Sequence, residues 1–186
     1  MRRSSIRIVG RALRAALRRR RWRVCLIGIC AGLFLSLGVT IAAPPRPRLL
    51  WNASASAPVG LWRVSPGSSV VRGDMVVVRL ASPWRELAAR RHYLPANVPL
   101  LKRVAAVPGD RVCGFGPWIF VAGRMAAVRR GADGAGRAMP WWQGCRTLGP
   151  DALLLLMDDP ASFDGRYFGP VKRSAVVGKT VPLWLR

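Results

Sequence analysis

At 186 residues the chain can build one hydrophobic core with an appendage, but not two full domains. Its formal charge of +23 rests on 28 arginines and 3 lysines against 8 acids, with a single histidine and no clustered Cys/His spacing, so neither a metal site nor a cofactor is expected. Spread evenly, such charge would suggest a nucleic-acid binder, but ten of the arginines crowd into residues 1–23 without one acid and no motif of the usual readers occurs, so no nucleic-acid partner is expected.

Residues 1–23 form a basic segment expected to stay in the cytoplasm. Cys25 to Ala43 is a run of nineteen residues without a charge, enough to cross a hydrocarbon core of roughly 30 Å. We therefore expect a transmembrane helix over 24–43, in contact with membrane lipid. By the positive-inside rule everything after it lies on the far side of the cytoplasmic membrane, in a periplasmic or extracytoplasmic space. A cleavable signal ending at Thr40-Ile41-Ala42 is the competing reading; the length of the run and Pro44-Pro45 at its exit favour a retained anchor. The Arg2-Arg3 doublet carries no export information in so arginine-rich a segment. Residues 44–48, PPRPR, are a stiff basic linker.

From Leu49 to the end, residues 49–186, the pattern is mainly β. Val70 to Leu80 is a β-branched run interrupted at Gly73-Asp74, and Leu101 to Val107 is a second run, stopped by the turn signal Pro108-Gly109-Asp110. Val112 onward should then return along it. Trp118 to Val121 and Arg124 to Val128 flank Ala122-Gly123 as a hairpin. Leu153 to Met157 and Ser174 to Val181 complete the strands. Ser82 to Tyr93 is the one plausible helical stretch, and Gly131 to Gly136 a flexible polar loop. Cys25 and Cys30 sit in the apolar run as small hydrophobes. Cys113 and Cys145 lie in the exported part, where an oxidising compartment permits a disulfide; two buried thiols are the alternative. Of the tryptophans, Trp51 and the pair Trp141-Trp142 are expected to form an interfacial belt.

Three blocks could carry chemistry. In Asn52-Ala53-Ser54-Ala55-Ser56-Ala57-Pro58, Ser56 is the candidate nucleophile, exposed on a turn, and an extended segment would put Ser54 on the same side, able to donate to an oxyanion together with the Ser56 backbone N–H; a solvent-exposed Ser/Ala loop is the plain reading of the segment alone. In Leu100-Leu101-Lys102-Arg103-Val104 an isolated lysine follows two leucines. Arginine cannot be deprotonated near neutral pH, whereas a lysine stripped of water can, and then serves as a base. Leu101 and Lys102 point to opposite faces of a strand, so both are buried only if the strand is covered on both sides; an edge lysine that keeps the sheet soluble is the plain reading. In Ser162-Phe163-Asp164-Gly165-Arg166 an extended chain would align Asp164 and Arg166 as an ion pair, leaving Ser162 to orient an amine. His92, in a basic exposed stretch, is expected to be a bystander.

In this order and spacing the three blocks resemble the signal peptidase I family, and within it the TraF-type pilin-maturing peptidases of conjugative transfer. The resemblance covers most of residues 49–181. It implies a signal-peptidase-I-like antiparallel β domain with one N-terminal transmembrane helix. Ser56 then matches the nucleophile, Ser54 the oxyanion donor, Lys102 the general base, Ser162 an orienting serine, and Asp164 and Arg166 a structural ion pair. The implied substrate is an exported, pilin-like precursor. There are two departures. Ala57 replaces the usual methionine, removing one apolar wall of the expected pocket. Met157-Asp158-Asp159-Pro160 replaces the glycine-aspartate-asparagine run of the housekeeping enzymes, leaving a further role open for Asp158 or Asp159. A non-catalytic subunit of a secretion or conjugation apparatus and a membrane-tethered nucleic-acid binder are the competing classes.

Overall fold

The computed structural model describes residues 2–43, with side chains from residue 17 onward, and residues 47–186. Most of the expected linker, residues 44–46, lies outside the described residues. The chain divides into two compact units, 1–45 and 46–186.

The first unit is one helix, α1 (Arg2–Ala42). It runs unbroken from the arginine segment into the apolar run, which the sequence reading treats as separate segments. Arginine and leucine are both strong helix formers, and no proline stands before Pro44. Leu17–Ala42 is long and apolar enough to cross a membrane. Within it Ser36 and Thr40 donate their hydroxyls to the carbonyls of Leu33 and Leu37 at 2.8 Å, so these polar groups are satisfied inside the helix.

The second unit runs β1 (Leu49–Asn52), β2 (Gly60–Ser65), β3 (Met75–Val78), α2 (Trp84–Arg90), β4 (Leu100–Ala106), β5 (Arg111–Phe115), β6 (Trp118–Val121), β7 (Arg124–Val128), β8 (Gly144–Thr147), β9 (Ala152–Leu156), α3 (Gly165–Phe168), β10 (Val171–Lys172) and β11 (Val176–Leu185). Among the described residues the strands form a seven-stranded sheet, β1-β2-β11-β3-β4-β9-β10, and a four-stranded sheet, β7-β6-β5-β8. Every strand pairing in both sheets is antiparallel. The class is therefore mainly β, as the sequence predicts.

The middle strands of the larger sheet are covered on both faces. Val76, Val77 and Val78 on β3 and Leu153, Leu154 and Leu155 on β9 are all fully buried. Such continuous apolar runs are what a two-sided strand requires. One face packs Ala57, Trp62, Val64, Val77, Leu101 and Met157; the other packs Val76, Val78, Val104, Leu153 and Leu155.

The hairpin at Ala122-Gly123 forms as expected, with both residues at positive φ (49° and 78°), the backbone that matches strand twist. Pro108-Gly109-Asp110 is a turn, closed by Asp110 N–H on the Val107 carbonyl, with Gly109 at φ 88°. It is not a hairpin. Both edges of β4 are taken, by β3 and β9, so β5 finds no place beside it and opens the second sheet between β6 and β8. The Val70–Leu80 run pairs only over β3, because Asp74 accepts the Val71 N–H in a turn at Gly73. At the other end Arg173–Ala175 is a 3-10 turn, so β11 begins at Val176.

Cys113 and Cys145 face each other across β5 and β8 and are disulfide-bonded, closing a loop between residues 32 apart. Replacing both by serine is expected to cost about 2–4 kcal/mol. Thermal unfolding with and without reductant checks this: the gap between the two proteins should close once the wild type is reduced.

The tryptophans correct one expectation. Trp142 is half-buried support, its indole N–H donating to the Gly165 carbonyl at 2.9 Å and its ring lying under Arg129 and Arg146. It does not stand on the surface as a belt residue. Trp51 is exposed, but its stacking partner is Trp184 on β11, at 5.7 Å between ring centroids.

Candidate active site

The segment Asn52–Pro58 leaves the end of β1 and turns back toward β2. It is a turn rather than an extended strand, closed by the Ala57 N–H on the Ser54 carbonyl at 3.4 Å. Even so, the two hydroxyls share a side: Ser54 Oγ and Ser56 Oγ lie 3.0 Å apart, and the Ser56 N–H donates to Ser54 Oγ at 3.3 Å. Both candidate oxyanion donors therefore sit beside the Ser56 hydroxyl. Ala57 is not a pocket wall. Its methyl is buried under the turn against Trp62 and Met157, and anchors Ser56 to the core.

Asn52, which the sequence reading passes over, organises this turn. It is buried, its Nδ2 donates to the carbonyls of Ser54, Ala57 and Pro58 at 3.0 Å each, and its Oδ1 accepts the Ser54 N–H at 3.1 Å. The last contact is an Asx turn, which an asparagine two residues before a candidate site serine could have signalled. Trp62 adds an indole N–H to the Pro58 carbonyl at 3.2 Å.

Lys102 comes from β4, opposite Val76. Both it and Leu101 are buried, at 3% and 4% exposure, because the strand is covered on both sides; it is not an edge lysine. Its Nζ lies 3.0 Å from Ser56 Oγ and donates to Ser162 Oγ at 2.8 Å. Burial pushes the amine down from 10.5 to about 8. The negative charge of Asp164 pulls it back up, and Arg166 opposes that pull. Desolvation dominates because the carboxylate and guanidinium nearby are bound to each other.

Ser162 is held in the loop between β9 and α3, its N–H on the Asp159 carbonyl at 3.1 Å and Phe163 locked among Tyr93, Tyr167 and Phe168. Asp164 and Arg166 do meet, but not along an extended strand. Asp164 caps α3, accepting the Arg166 N–H at 3.1 Å and the Arg166 guanidinium at 2.8 and 3.0 Å. The pair is entirely buried. Asp164 also accepts the Met157 N–H, while Arg166 donates to the carbonyls of Met157 and Val128. Buried Arg129 continues the network into the smaller sheet, donating to the carbonyls of Gly116, Trp142 and Arg166. Asp158 is on the surface with Arg103, and Asp159 caps the Ala161 N–H. His92 is exposed and is not among the residues that line the cavity around Ser56 and Lys102.

Ser54, Ser56, Lys102 and Ser162 open into a cavity of about 560 Å³. Among the described residues no group of His, Cys, Asp and Glu has metal-binding geometry. The arrangement is thus a hydroxyl, a desolvated amine and two adjacent donors in an apolar cleft, a set suited to acyl transfer.

Comparison with known families agrees on the class. The family model described as signal peptidase, peptidase S26 matches residues 19–185, and the chain belongs to that family. Its curated relatives are more specific. It is 34% identical over 164 residues, 83% of this chain and 91% of the other, to a conjugal transfer protein TraF of Agrobacterium fabrum. A conjugal transfer protein TraF of Agrobacterium tumefaciens is 33% identical over 90% of this chain and 98% of its own. A plasmid transfer protein TraF of Escherichia coli is 36% identical over 70% of this chain and 78% of its own. Among solved structures, a signal peptidase I of Enterococcus faecalis matches at a TM-score of 0.35 and 20% identity, covering 60% of this chain and 97% of that one.

Proposed function

We propose that this protein is a membrane-anchored serine endopeptidase whose Ser56–Lys102 dyad removes the processing peptide of an exported precursor. The naming of its relatives after conjugal transfer supports a pilin-like subunit as that precursor. The observation that carries the reading is the 3.0 Å contact between Ser56 Oγ and a buried lysine nitrogen. In this reading α1 anchors the chain in the cytoplasmic membrane with the arginine-rich end inside, and residues 49–186 are the exported peptidase domain.

A neutral amine has two N–H bonds and one lone pair, so Lys102 can donate to Ser162 while accepting the proton of Ser56. The freed oxygen attacks the scissile carbonyl carbon, and the Ser54 hydroxyl and Ser56 N–H turn to the oxyanion. Collapse breaks the C–N bond, the lysine ammonium returns its proton to the leaving amine, and an acyl-ester remains on Ser56. Water, deprotonated by the same amine, attacks the acyl carbon; collapse breaks the ester C–O bond, the lysine ammonium returns its proton to Ser56 Oγ, and the acid product leaves and ionises. Ser162 keeps the amine aimed through this exchange.

The lysine sets the pH dependence. The protonated form cannot act as base, so kcat/KM rises with pH and is half-maximal near 8. At pH 7 only about a tenth of the molecules carry the neutral amine. A pH series on the detergent-solubilised full chain, with a peptide bearing small residues at the processing site, reads this directly. A profile flat from pH 6.5 to 9.5 contradicts Lys102 as base.

A further inference from the structure

The loop that carries Ser56 has little packing of its own to hold it. Residues 53–59 join the end of β1 to the start of β2, and of these Ala53, Ser54, Ala55 and Pro58 are exposed while Ala57 alone is buried. An exposed loop of small side chains has many backbone conformations open to it, and each would move the Ser56 hydroxyl and N–H relative to the lysine amine. Acyl transfer needs one of them.

Asn52 is placed to select it. Its backbone is fixed, because it pairs with Gly60, and Gly60 lies so close under the end of β11 that a Cβ there would collide with the Trp184 carbonyl oxygen. From this anchored position the buried side chain reaches across the mouth of the loop. Its Nδ2 carries two hydrogens and faces three carbonyls, those of Ser54, Ala57 and Pro58, at 3.0 Å each. Ser54 precedes Ser56 in the chain, and Ala57 and Pro58 follow it. One amide nitrogen therefore draws the entry and the exit of the loop together around the serine.

The two ends of this amide act differently. Oδ1 accepts the Ser54 N–H at 3.1 Å and shapes only the entry, as an ordinary Asx turn does. Nδ2 sets the separation of entry and exit. Neither touches the amine: Lys102 is held by its burial on β4 and by Ser162 at 2.8 Å, so Asn52 governs the serine side of the 3.0 Å contact alone.

We infer that Asn52 is a positioning residue for the cleavage step: by donating to carbonyls on both sides of Ser56, its side-chain nitrogen holds the serine hydroxyl against Lys102 and aims the Ser56 N–H and the Ser54 hydroxyl at the oxyanion. The inference rests on the peptidase reading. Because the groups it orients come into play only as the scissile carbonyl is attacked, its loss falls on kcat rather than on KM.

Two replacements separate the nitrogen from the oxygen. Asn52→Asp keeps an acceptor for the Ser54 N–H and removes the donors, whereas Asn52→Ala removes both. In the detergent-solubilised full chain, assayed at about pH 9 where Lys102 is neutral, each is expected to lower kcat about 100-fold while KM changes less than about threefold. The pH profile of Asn52→Ala should keep its midpoint near 8, since the surroundings of the lysine are unchanged. A second measurement needs no turnover: in Asn52→Ala the amides of residues 53–57 should exchange hydrogen at least about tenfold faster, with β3 and β9 as slow as in the wild type. Wild-type kcat in Asn52→Asp would reduce the residue to its Asx turn and overturn the inference. So would a loss carried by KM, a displaced pH midpoint, or unchanged exchange over 53–57. Faster exchange spreading into β3 and β9 would make Asn52 a residue of general stability and overturn it equally. A wild-type protein that cleaves nothing counts against the peptidase reading by itself, and the exchange comparison still decides whether Asn52 holds the loop.

Discussion

Replacing Lys102 by alanine is expected to lower kcat for precursor cleavage at least about 10⁴-fold, and Ser56→Ala to do the same, with the double variant no worse than either. The size follows from the geometry. Ser56 has a single base within reach, and His92, the only histidine, is exposed elsewhere. Once either partner is gone, what survives is binding and the two oxyanion donors. Lys102→Arg should fail equally, although it preserves the charge, because a guanidinium does not give up its proton at these pH values. A non-catalytic membrane subunit would tolerate all three changes. Ser162→Ala should be milder, about 10–100-fold, since the amine loses its 2.8 Å partner but keeps its burial and its place beside Ser56. Single-turnover cleavage by purified, detergent-solubilised protein separates these levels. Full activity in Lys102→Ala would remove the dyad.

How much of this was legible in advance depended on the range of the forces involved. The β class followed from alternating and β-branched runs, and the Ala122-Gly123 hairpin from two residues that tolerate positive φ; both are local signals. The partner of β5 was not local. Pro108-Gly109-Asp110 announced a turn, yet whether the chain comes back beside β4 depends on β9, some fifty residues later, claiming that edge. Residues 131–139 were hidden in the same way: Gly131 to Gly136 looks flexible until Arg91 and Tyr93, which follow α2 about forty residues earlier in the chain, bind Ala138 and Asp133 directly. At the site, residue type and order single out Ser56, Lys102 and Ser162, which the fold brings together, but not what supports them. Asn52 and Arg129 act through backbone carbonyls, which no side-chain pattern displays. The strand argument for Lys102 had a definite form, both faces covered or an edge position. Only the fold could choose, and the burial of Leu101 beside it made the choice.

The second large effect falls on stability. Arg166→Ala is expected to destabilise the second unit by about 3–5 kcal/mol, because it leaves the Asp164 carboxylate buried without its countercharge and takes the donors from the Met157 and Val128 carbonyls. Asp164→Ala should cost as much, leaving the opposite charge buried and unpaired and freeing the Met157 and Arg166 N–H groups it caps. A buried ion pair can often be exchanged for apolar residues at little cost, so the informative variant is the double one, Asp164→Leu with Arg166→Met. Here that exchange should still cost about 2 kcal/mol or more. The pair satisfies four backbone groups of Met157, Arg166 and Val128 that no apolar side chain can serve, and each buried orphan costs about 1–3 kcal/mol. Pulse proteolysis of the detergent-solubilised protein across a urea series measures all three variants against the wild type. If the double variant matches wild-type stability, the pair is only a balanced charge. If it stays destabilised while the cut site is still occupied by Ser56 and Lys102, the pair is a backbone clamp that keeps Ser162 against the amine.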